Sequence, residues 1–220
     1  MTKIPFATVG FDLDGTLLDT AQDLGAALNH ALAQADRPPV THAVVSGLIG
    51  GGARPMLRRA LDLTGGGSEG ELDALFPLLL NYYEANIAVH TRLYPGGAAM
   101  LDALDAAGVR VALVTNKRHA MAVKLLDALG LSHRFGWIMG GGNGYPLKPA
   151  PEVLWAMVEQ LGGGRAAYVG DTTFDTRAAA AAGMPCVAVR FGFNDLPADE
   201  LGASAVIDHL DALIPALASL

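Results

Sequence analysis

The sequence predicts an α/β protein with a doubly wound parallel sheet and an inserted α-helical cap domain. A short apolar strand at residues 6–12 ends in two aspartates, and from residue 98 onward apolar strands alternate with amphipathic segments. Between them, residues 18 to about 92 show helical periodicity and no convincing strand. Alternation of this kind builds a Rossmann-like core, so the helical stretch is expected to be an insertion into it.

The elements of the core follow in order from the apolar runs. Each strand is bounded by Gly, Pro or polar residues, and each following segment has apolar residues at helical spacing. Strands are predicted at 109–115, 136–140, 166–170, 185–190 and 205–208, with helices near 118–129, 150–161 and 173–182 and at the C-terminus.

The insert is entered just after the two aspartates and left at Tyr94-Pro95-Gly96-Gly97, a combination typical of a connection. The predicted domains are therefore a catalytic core of residues 1–17 with 93–220 and a helical cap of residues 18–92. A cap hinged over the edge of the sheet is expected to close over ligands bound there.

Composition favours a soluble protein that acts on small molecules. Of 220 residues 51% are hydrophobic, and the formal charge is −7, so neither a nucleic-acid surface nor an anionic-membrane surface is expected. The two aspartates come too early for a signal peptide, and no apolar run is long enough to span a bilayer. A single cysteine, Cys186, is expected in the core together with Trp137 and Trp155. These features predict a cytoplasmic protein.

Four segments at the carboxyl ends of predicted strands carry the residues of a phosphoryl-transfer site. A carboxylate that attacks a phosphate ester needs a divalent cation and a fixed ammonium to neutralise the developing charge. Mg²⁺ prefers oxygen ligands and keeps several waters, which suits one or two carboxylates with a backbone carbonyl, such as that of Asp14. The segments hold Asp12 and Asp14, Thr115 and Asn116, Lys148, and Asp171 with Asp175.

Each segment alone has a simpler explanation. Two aspartates one residue apart often form a turn, and Thr-Asn after a strand often caps a helix. Lys148 could be a lysine of a surface loop, and Asp171 and Asp175 could serve the first turn of a helix through its dipole. Four such segments in order after four strands favour the catalytic interpretation.

The motifs DLDGT at 12–16, VTNK at 114–117, KPAP at 148–151 and GDTTFD at 170–175 resemble the four motifs of haloacid dehalogenase superfamily phosphatases. The insert is similar to the C1-type cap of that superfamily. Within it, LIGGGARPMLRRAL at 48–61 and HTRLYPG at 90–96 look most like bacterial phosphoglycolate phosphatases.

The resemblance implies a role for each motif residue. Asp12 would be the nucleophile that forms an aspartyl-phosphate, and Asp14 the general acid and then the base. Thr115 and the backbone at Asn116 would bind phosphoryl oxygens, and Lys148 would pair with Asp12 and the phosphate. The metal set would be Asp12, Asp14, Asp171 and Asp175, with Asp175 acting through water or orienting Lys148 instead.

In the cap, Gly51 and Arg54 lie where C1-type members carry a substrate-recognition loop. Arg54 could bind a substrate carboxylate, although a solvated arginine at a helix start explains it as well. Lys117 could face the cap. The chain departs from the family pattern at Phe174, a place that is often polar.

The implied activity is Mg²⁺-dependent hydrolysis of a small phosphorylated metabolite, with 2-phosphoglycolate as the leading candidate. Alternatives are a phosphatase for a sugar phosphate, including N-acetylmuramate 6-phosphate, or for pyrophosphate, and a sugar phosphomutase. A phosphate-binding module without catalysis is a further alternative, since fold does not fix function. A monomer and a homodimer are both compatible with the sequence.

Overall fold

A computed structural model describes residues 4–220 and has a parallel sheet at its centre. Six strands pair in the order β5-β4-β1-β6-β7-β8, all of them parallel, and β2 pairs antiparallel with β3 in a separate two-stranded ribbon. The strands are β1 (Thr8–Phe11), β2 (Leu18–Asp19), β3 (Arg92–Leu93), β4 (Arg110–Arg118), β5 (Trp137–Gly141), β6 (Ala166–Gly170), β7 (Cys186–Val189) and β8 (Ala205–Ile207).

Four of the helices lie between the two strands of the ribbon, and the others accompany the sheet. No helix among residues 4–220 is long and apolar enough to cross a membrane. The helices are α1 (Ala21–Ala33), α2 (His42–Leu48), α3 (Ala53–Leu63), α4 (Glu69–Ala85), α5 (Gly97–Ala106), α6 (His119–Ala128), α7 (Glu152–Gln160), α8 (Thr173–Ala181) and α9 (Leu213–Ser219).

Strand order locates the place where a ligand can bind. The chain runs from β1 to β4 and β5 on one side and then returns to β6, β7 and β8 on the other. Neighbouring connections therefore leave β1 in opposite directions, which opens a crevice at the carboxyl ends of β1, β4 and β6. β1 and β6 are buried along their whole length, as expected for strands covered on both faces.

The predicted fold class is confirmed, and each predicted core strand is present. Two details differ. The stretch predicted to lack strands begins with β2 and ends at β3, a two-residue ribbon too short to give a periodic pattern. Trp155 was expected in the core but is 50% exposed, because it lies on the outer face of α7, whereas Cys186 is buried as predicted. The domain boundaries at 17/18 and 92/93 stay a prediction.

A buried carboxylate at the start of the helical insert is hydrogen-bonded to residues at its end. The Asp23 side chain on α1 accepts hydrogen bonds from the backbone amides of His90 and Thr91 and from the Thr91 hydroxyl, at 2.8–3.0 Å. Asp23 is 2% exposed, so these bonds are shielded from water.

We expect Asp23→Asn to lower the free energy of unfolding by about 2 kcal/mol or more, because an amide nitrogen would face donors that need an acceptor. Chemical denaturation measures this loss. The matched control is Asp62→Asn on exposed α3, which should stay within about 0.5 kcal/mol of wild type. Equal effects of the two substitutions would contradict the anchoring role of Asp23.

Candidate active site

The turn after β1 brings Asp12 and Asp14 to the crevice. The Asp12 amide donates to the carbonyl of Val169 at 2.9 Å, which continues the pairing of β1 with β6 by one residue. Gly15 then has φ +82°, and a Cβ at this position would collide with the Asp171 carboxylate. The glycine of this motif is therefore required both by its left-handed backbone and by the close approach of Asp171.

Lys148 is the buried cation of the site, with 2% of its side chain exposed. Its Nζ, which has three N–H donors, lies within hydrogen-bond distance of four acceptors: Asp12 Oδ1 at 2.8 Å, Asp175 Oδ1 at 2.7 Å, the Val114 carbonyl at 3.0 Å and the Tyr168 hydroxyl at 2.7 Å. Burial disfavours the ammonium, but the charges of Asp12 and Asp175 outweigh it and hold the pKa of Lys148 well above its ordinary value. Lys148 therefore stays charged.

Asp175 is committed to bonds within the protein through both carboxylate oxygens. Oδ1 accepts from Lys148, while Oδ2 accepts from the amides of Asp171 and Thr172 and from the Thr172 hydroxyl at 2.7–3.2 Å. Asp175 thus fixes both Lys148 and the loop that precedes α8. This arrangement fits a positioning role better than a place among the direct metal ligands.

Asp12, Asp171 and Asp175 form a carboxylate cluster in which ligand oxygens lie within 4.8 Å of one another. Asp171 is fully buried and accepts from the Thr16 hydroxyl and the Phe193 amide, both at 2.7 Å. Burial raises the pKa of Asp12 to about 6, although the Lys148 charge opposes this shift. Burial and the neighbouring carboxylates raise the pKa of Asp171 well above its usual range.

Burial is the main cause of the raised pKa of both Asp12 and Asp171, and their clustered carboxylate oxygens offer ligands to a cation. A hard divalent cation with oxygen ligands fits such a donor set. The Asp14 carboxylate lies outside the cluster, which leaves its backbone carbonyl as the expected contribution.

The Asp14 carboxylate is held by a residue to which sequence reasoning gave no definite role. Lys117 Nζ donates to both Asp14 oxygens, at 2.9 and 3.0 Å, and only 6% of the Lys117 side chain is exposed. Burial disfavours the charged lysine, yet Asp14 outweighs that effect and raises the pKa of Lys117. Since side chains two apart on a strand share a face, the spacing of Lys117 from Thr115 was a signal that could have placed it here.

Thr115 and Asn116 both lie at the crevice, but they serve different purposes. Thr115 is 5% exposed and lines the cavity. The Asn116 side chain donates to the Lys148 carbonyl and accepts from the Lys148 amide, each at 2.9 Å, and so holds the loop that carries the lysine. Binding of a ligand by Asn116 is therefore left to its backbone, as the sequence suggests.

A cavity of about 210 Å³ lies between this crevice and the helical insert. On the insert side, Gly51 borders the cavity with φ +71°, and a Cβ there would lie 3.1 Å from the ring of Phe174. Phe174 thus turns toward the insert rather than obstructing Asp175. Arg54 also borders the cavity, but its guanidinium already pairs with Asp73 at 2.6 Å and with Glu69 at 3.2 Å.

Tyr83 of α4 is a second cavity residue that the sequence analysis did not single out. It is 2% exposed, and the Lys117 ammonium lies 4.5 Å from the centre of its ring. Its hydroxyl has no hydrogen-bond partner among residues 4–220. Burial raises the pKa of Tyr83 to about 12, so the hydroxyl keeps its proton.

Loss of the Lys148 charge is expected to destabilise the protein in a pH-dependent way. Lys148→Met leaves buried carboxylates unpaired and should lower the free energy of unfolding of metal-free protein by about 3–5 kcal/mol near neutral pH. Without the lysine the pKa of Asp12 rises further above about 6, while the unfolded carboxyl keeps its ordinary value of 3.8. Protonation then favours the folded state, so the loss should shrink as the pH falls toward about 5.

Urea denaturation at several pH values in the presence of a chelator measures this effect. Lys124→Met is the control, because Lys124 is 48% exposed and pairs with an exposed glutamate, Glu84. That variant should lose less than about 1 kcal/mol at every pH. A loss of unfolding free energy in Lys148→Met that does not change with pH would refute this account of the charge balance.

Known proteins are similar to this chain over most of its length. The family model of haloacid dehalogenase-like hydrolases matches residues 9–189. A protein of Agrobacterium fabrum named phosphoglycolate phosphatase is 41% identical over 99% of this chain and 95% of its own length. Another, phosphoglycolate phosphatase 1 of Pseudomonas aeruginosa, is 39% identical over 97% of this chain and 80% of its own length.

Solved structures show the same fold. A crystal structure described as that of a predicted phosphoglycolate phosphatase from Haemophilus somnus superposes with a TM-score of 0.89 at 30% sequence identity, covering 96% of this chain and 97% of the other. The match extends over the sheet, the crevice and the helical insert alike. The chain belongs to the haloacid dehalogenase-like hydrolase family.

Proposed function

We propose that the protein is a Mg²⁺-dependent phosphomonoesterase that forms an aspartyl-phosphate on Asp12 and hydrolyses 2-phosphoglycolate to glycolate and phosphate. The observation that carries the proposal is the pairing of two neighbouring carboxylates with two different buried lysines, Asp12 with Lys148 and Asp14 with Lys117. Each carboxylate therefore has its own lysine partner, which fits one as the nucleophile and the other as the general acid and base.

Asp12 is the proposed nucleophile. With a pKa of about 6 it is mostly ionised near neutral pH and can attack phosphorus. Lys148 lies within hydrogen-bond distance of Asp12 and would neutralise charge on the phosphoryl oxygens. Thr115 and the backbone of Asn116 are the proposed partners of the remaining phosphoryl oxygens.

Asp14 is the proposed general acid and base. In its protonated form it gives a proton to the leaving oxygen, and the resulting carboxylate takes a proton from the water that attacks the aspartyl-phosphate. Lys117 donates to both oxygens of the Asp14 carboxylate and so fixes its position in the crevice.

We propose that Mg²⁺ is held by the carboxylates of Asp12 and Asp171 and the backbone carbonyl of Asp14, with Asp175 in support through water or through Lys148. When bound, the cation neutralises negative charge on the transferring phosphoryl group. The clustering of the Asp12 and Asp171 carboxylate oxygens supports this choice, since Mg²⁺ prefers oxygen ligands.

The proposed substrate is supported by the names of the relatives and by the site. A cavity of about 210 Å³ suits a small metabolite. A phosphatase for a sugar phosphate would keep the same core residues and differ in the insert, so it is the alternative that the first experiment must separate.

We expect Mg²⁺-dependent phosphate release to be fastest with 2-phosphoglycolate in a panel that includes sugar phosphates, N-acetylmuramate 6-phosphate and pyrophosphate. Asp12→Asn should reduce kcat by about three orders of magnitude or more, because an amide cannot act as the nucleophile. Asp62→Asn on the surface of α3 is the control and should retain wild-type kcat. A higher kcat/KM for a sugar phosphate would leave the mechanism in place and replace the substrate.

Mg²⁺ should also raise the thermal stability of the protein without any substrate. At a concentration about 100 times its Kd, a ligand of the folded state adds about 2.7 kcal/mol. We expect this gain in differential scanning calorimetry near neutral pH, its loss in Asp171→Asn, and its decline as the pH falls below about 6, where protons compete for Asp12. A gain that survives in Asp171→Asn would place the cation elsewhere.

A further inference from the structure

Tyr83 borders the cavity, and its hydroxyl is a buried donor without a partner. Buried hydroxyls are normally hydrogen-bonded, so an unpaired one calls for an explanation. Two other buried hydroxyls among residues 4–220 are unpaired, those of Thr8 and Thr20, but neither residue lines the cavity. Tyr83 therefore combines an unsatisfied donor with a place in the wall of the cavity.

The surroundings of Tyr83 favour an anionic ligand. The Lys117 ammonium lies against the ring, and the nearby cavity wall from α1 and α4 is otherwise apolar, formed by Leu24, Leu79 and Leu80. The Lys117 charge is shared with Asp14, so a ligand oxygen in such surroundings finds a neutral donor beside a paired ammonium and little competing water. Hydrogen bonds to charged acceptors are the stronger ones under these conditions.

We propose that the Tyr83 hydroxyl donates a hydrogen bond to the carboxylate of the substrate and so selects phosphorylated carboxylic acids, an inference that rests on the phosphomonoesterase proposed above. Arg54 suits this task less well, because its side chain is 42% exposed and its guanidinium already pairs with two carboxylates. Tyr83 comes from the insert, whereas the groups proposed to act on phosphorus come from the core.

The test compares 2-phosphoglycolate with ethyl phosphate, which has a methyl group in place of the carboxylate. In Tyr83→Phe we expect the ratio of the two kcat/KM values to fall by about tenfold or more, through loss on 2-phosphoglycolate, because a hydrogen bond to a charged group is lost for that ester alone. Tyr82→Phe is the matched control. Tyr82 precedes Tyr83 on α4, stacks on His30 and does not line the cavity, so its substitution should leave the ratio unchanged.

Product inhibition gives an independent measurement. Tyr83→Phe should raise the inhibition constant of glycolate by about tenfold and leave that of inorganic phosphate within about twofold, because only glycolate carries the carboxylate. Since the substitution removes a hydroxyl that has no partner, the Tm should equal or exceed that of wild type.

Each other outcome overturns a defined part of the proposal. A wild-type protein that hydrolyses 2-phosphoglycolate, with an unchanged ratio in Tyr83→Phe, would show that the tyrosine merely packs and would leave the phosphatase proposal intact. A wild-type protein that releases no phosphate from either ester overturns the function and the inference together. A Tm well below that of wild type would show that the hydroxyl has a structural partner.

Discussion

The active site depends on one buried ammonium group. Lys148 has contacts to Asp12, Asp175, Tyr168 and the end of β4, so a single charge joins residues from three parallel strands and the loops that follow them. Because removal of one partner of a buried ion pair leaves the other charge uncompensated, these residues are energetically dependent on one another. The loop that carries Lys148 is itself fixed by the Asn116 side chain. Order in the crevice thus follows from charge balance as much as from apolar packing.

Much of the fold and of the crevice could be predicted from the sequence, for a physical reason. Parallel strands that alternate with helices bring their carboxyl ends to one edge, so Asp12, Thr115 and Asp171 could be placed together from strand assignments alone. The partner of each charged group could not be predicted in this way. That Asp175 uses both oxygens for internal bonds depends on side-chain directions after β6 ends, where periodicity gives no guidance. The spacing of Lys117 from Thr115 on β4 could place Lys117 at the crevice, but it could not show that the lysine pairs with Asp14. The exposure of Trp155 was missed because an aromatic residue at helical spacing does not reveal which face of α7 is covered.

The insert illustrates the same limit. Its helices could be predicted from their apolar spacing, but the pairing of Arg54 with Asp73 and Glu69 joins residues from two helices whose relative placement is set by tertiary packing. The unpaired hydroxyl of Tyr83 is likewise a property of three-dimensional surroundings. A tyrosine in an amphipathic helix ordinarily packs its ring in the core and turns its hydroxyl to water or to a partner.

The strand ribbon formed by β2 and β3 has a consequence for how the protein can change. It is the antiparallel junction where the chain leaves the sheet domain and returns to it, and everything between its two strands is helical. The residues proposed to handle phosphorus lie outside this stretch, while Tyr83, Gly51 and Arg54 lie inside it. On these proposals, the residues for phosphoryl transfer and those for choice of leaving group lie in separate stretches of the chain. Exchange of one contiguous segment would then alter what is hydrolysed while the means of hydrolysis stay unchanged.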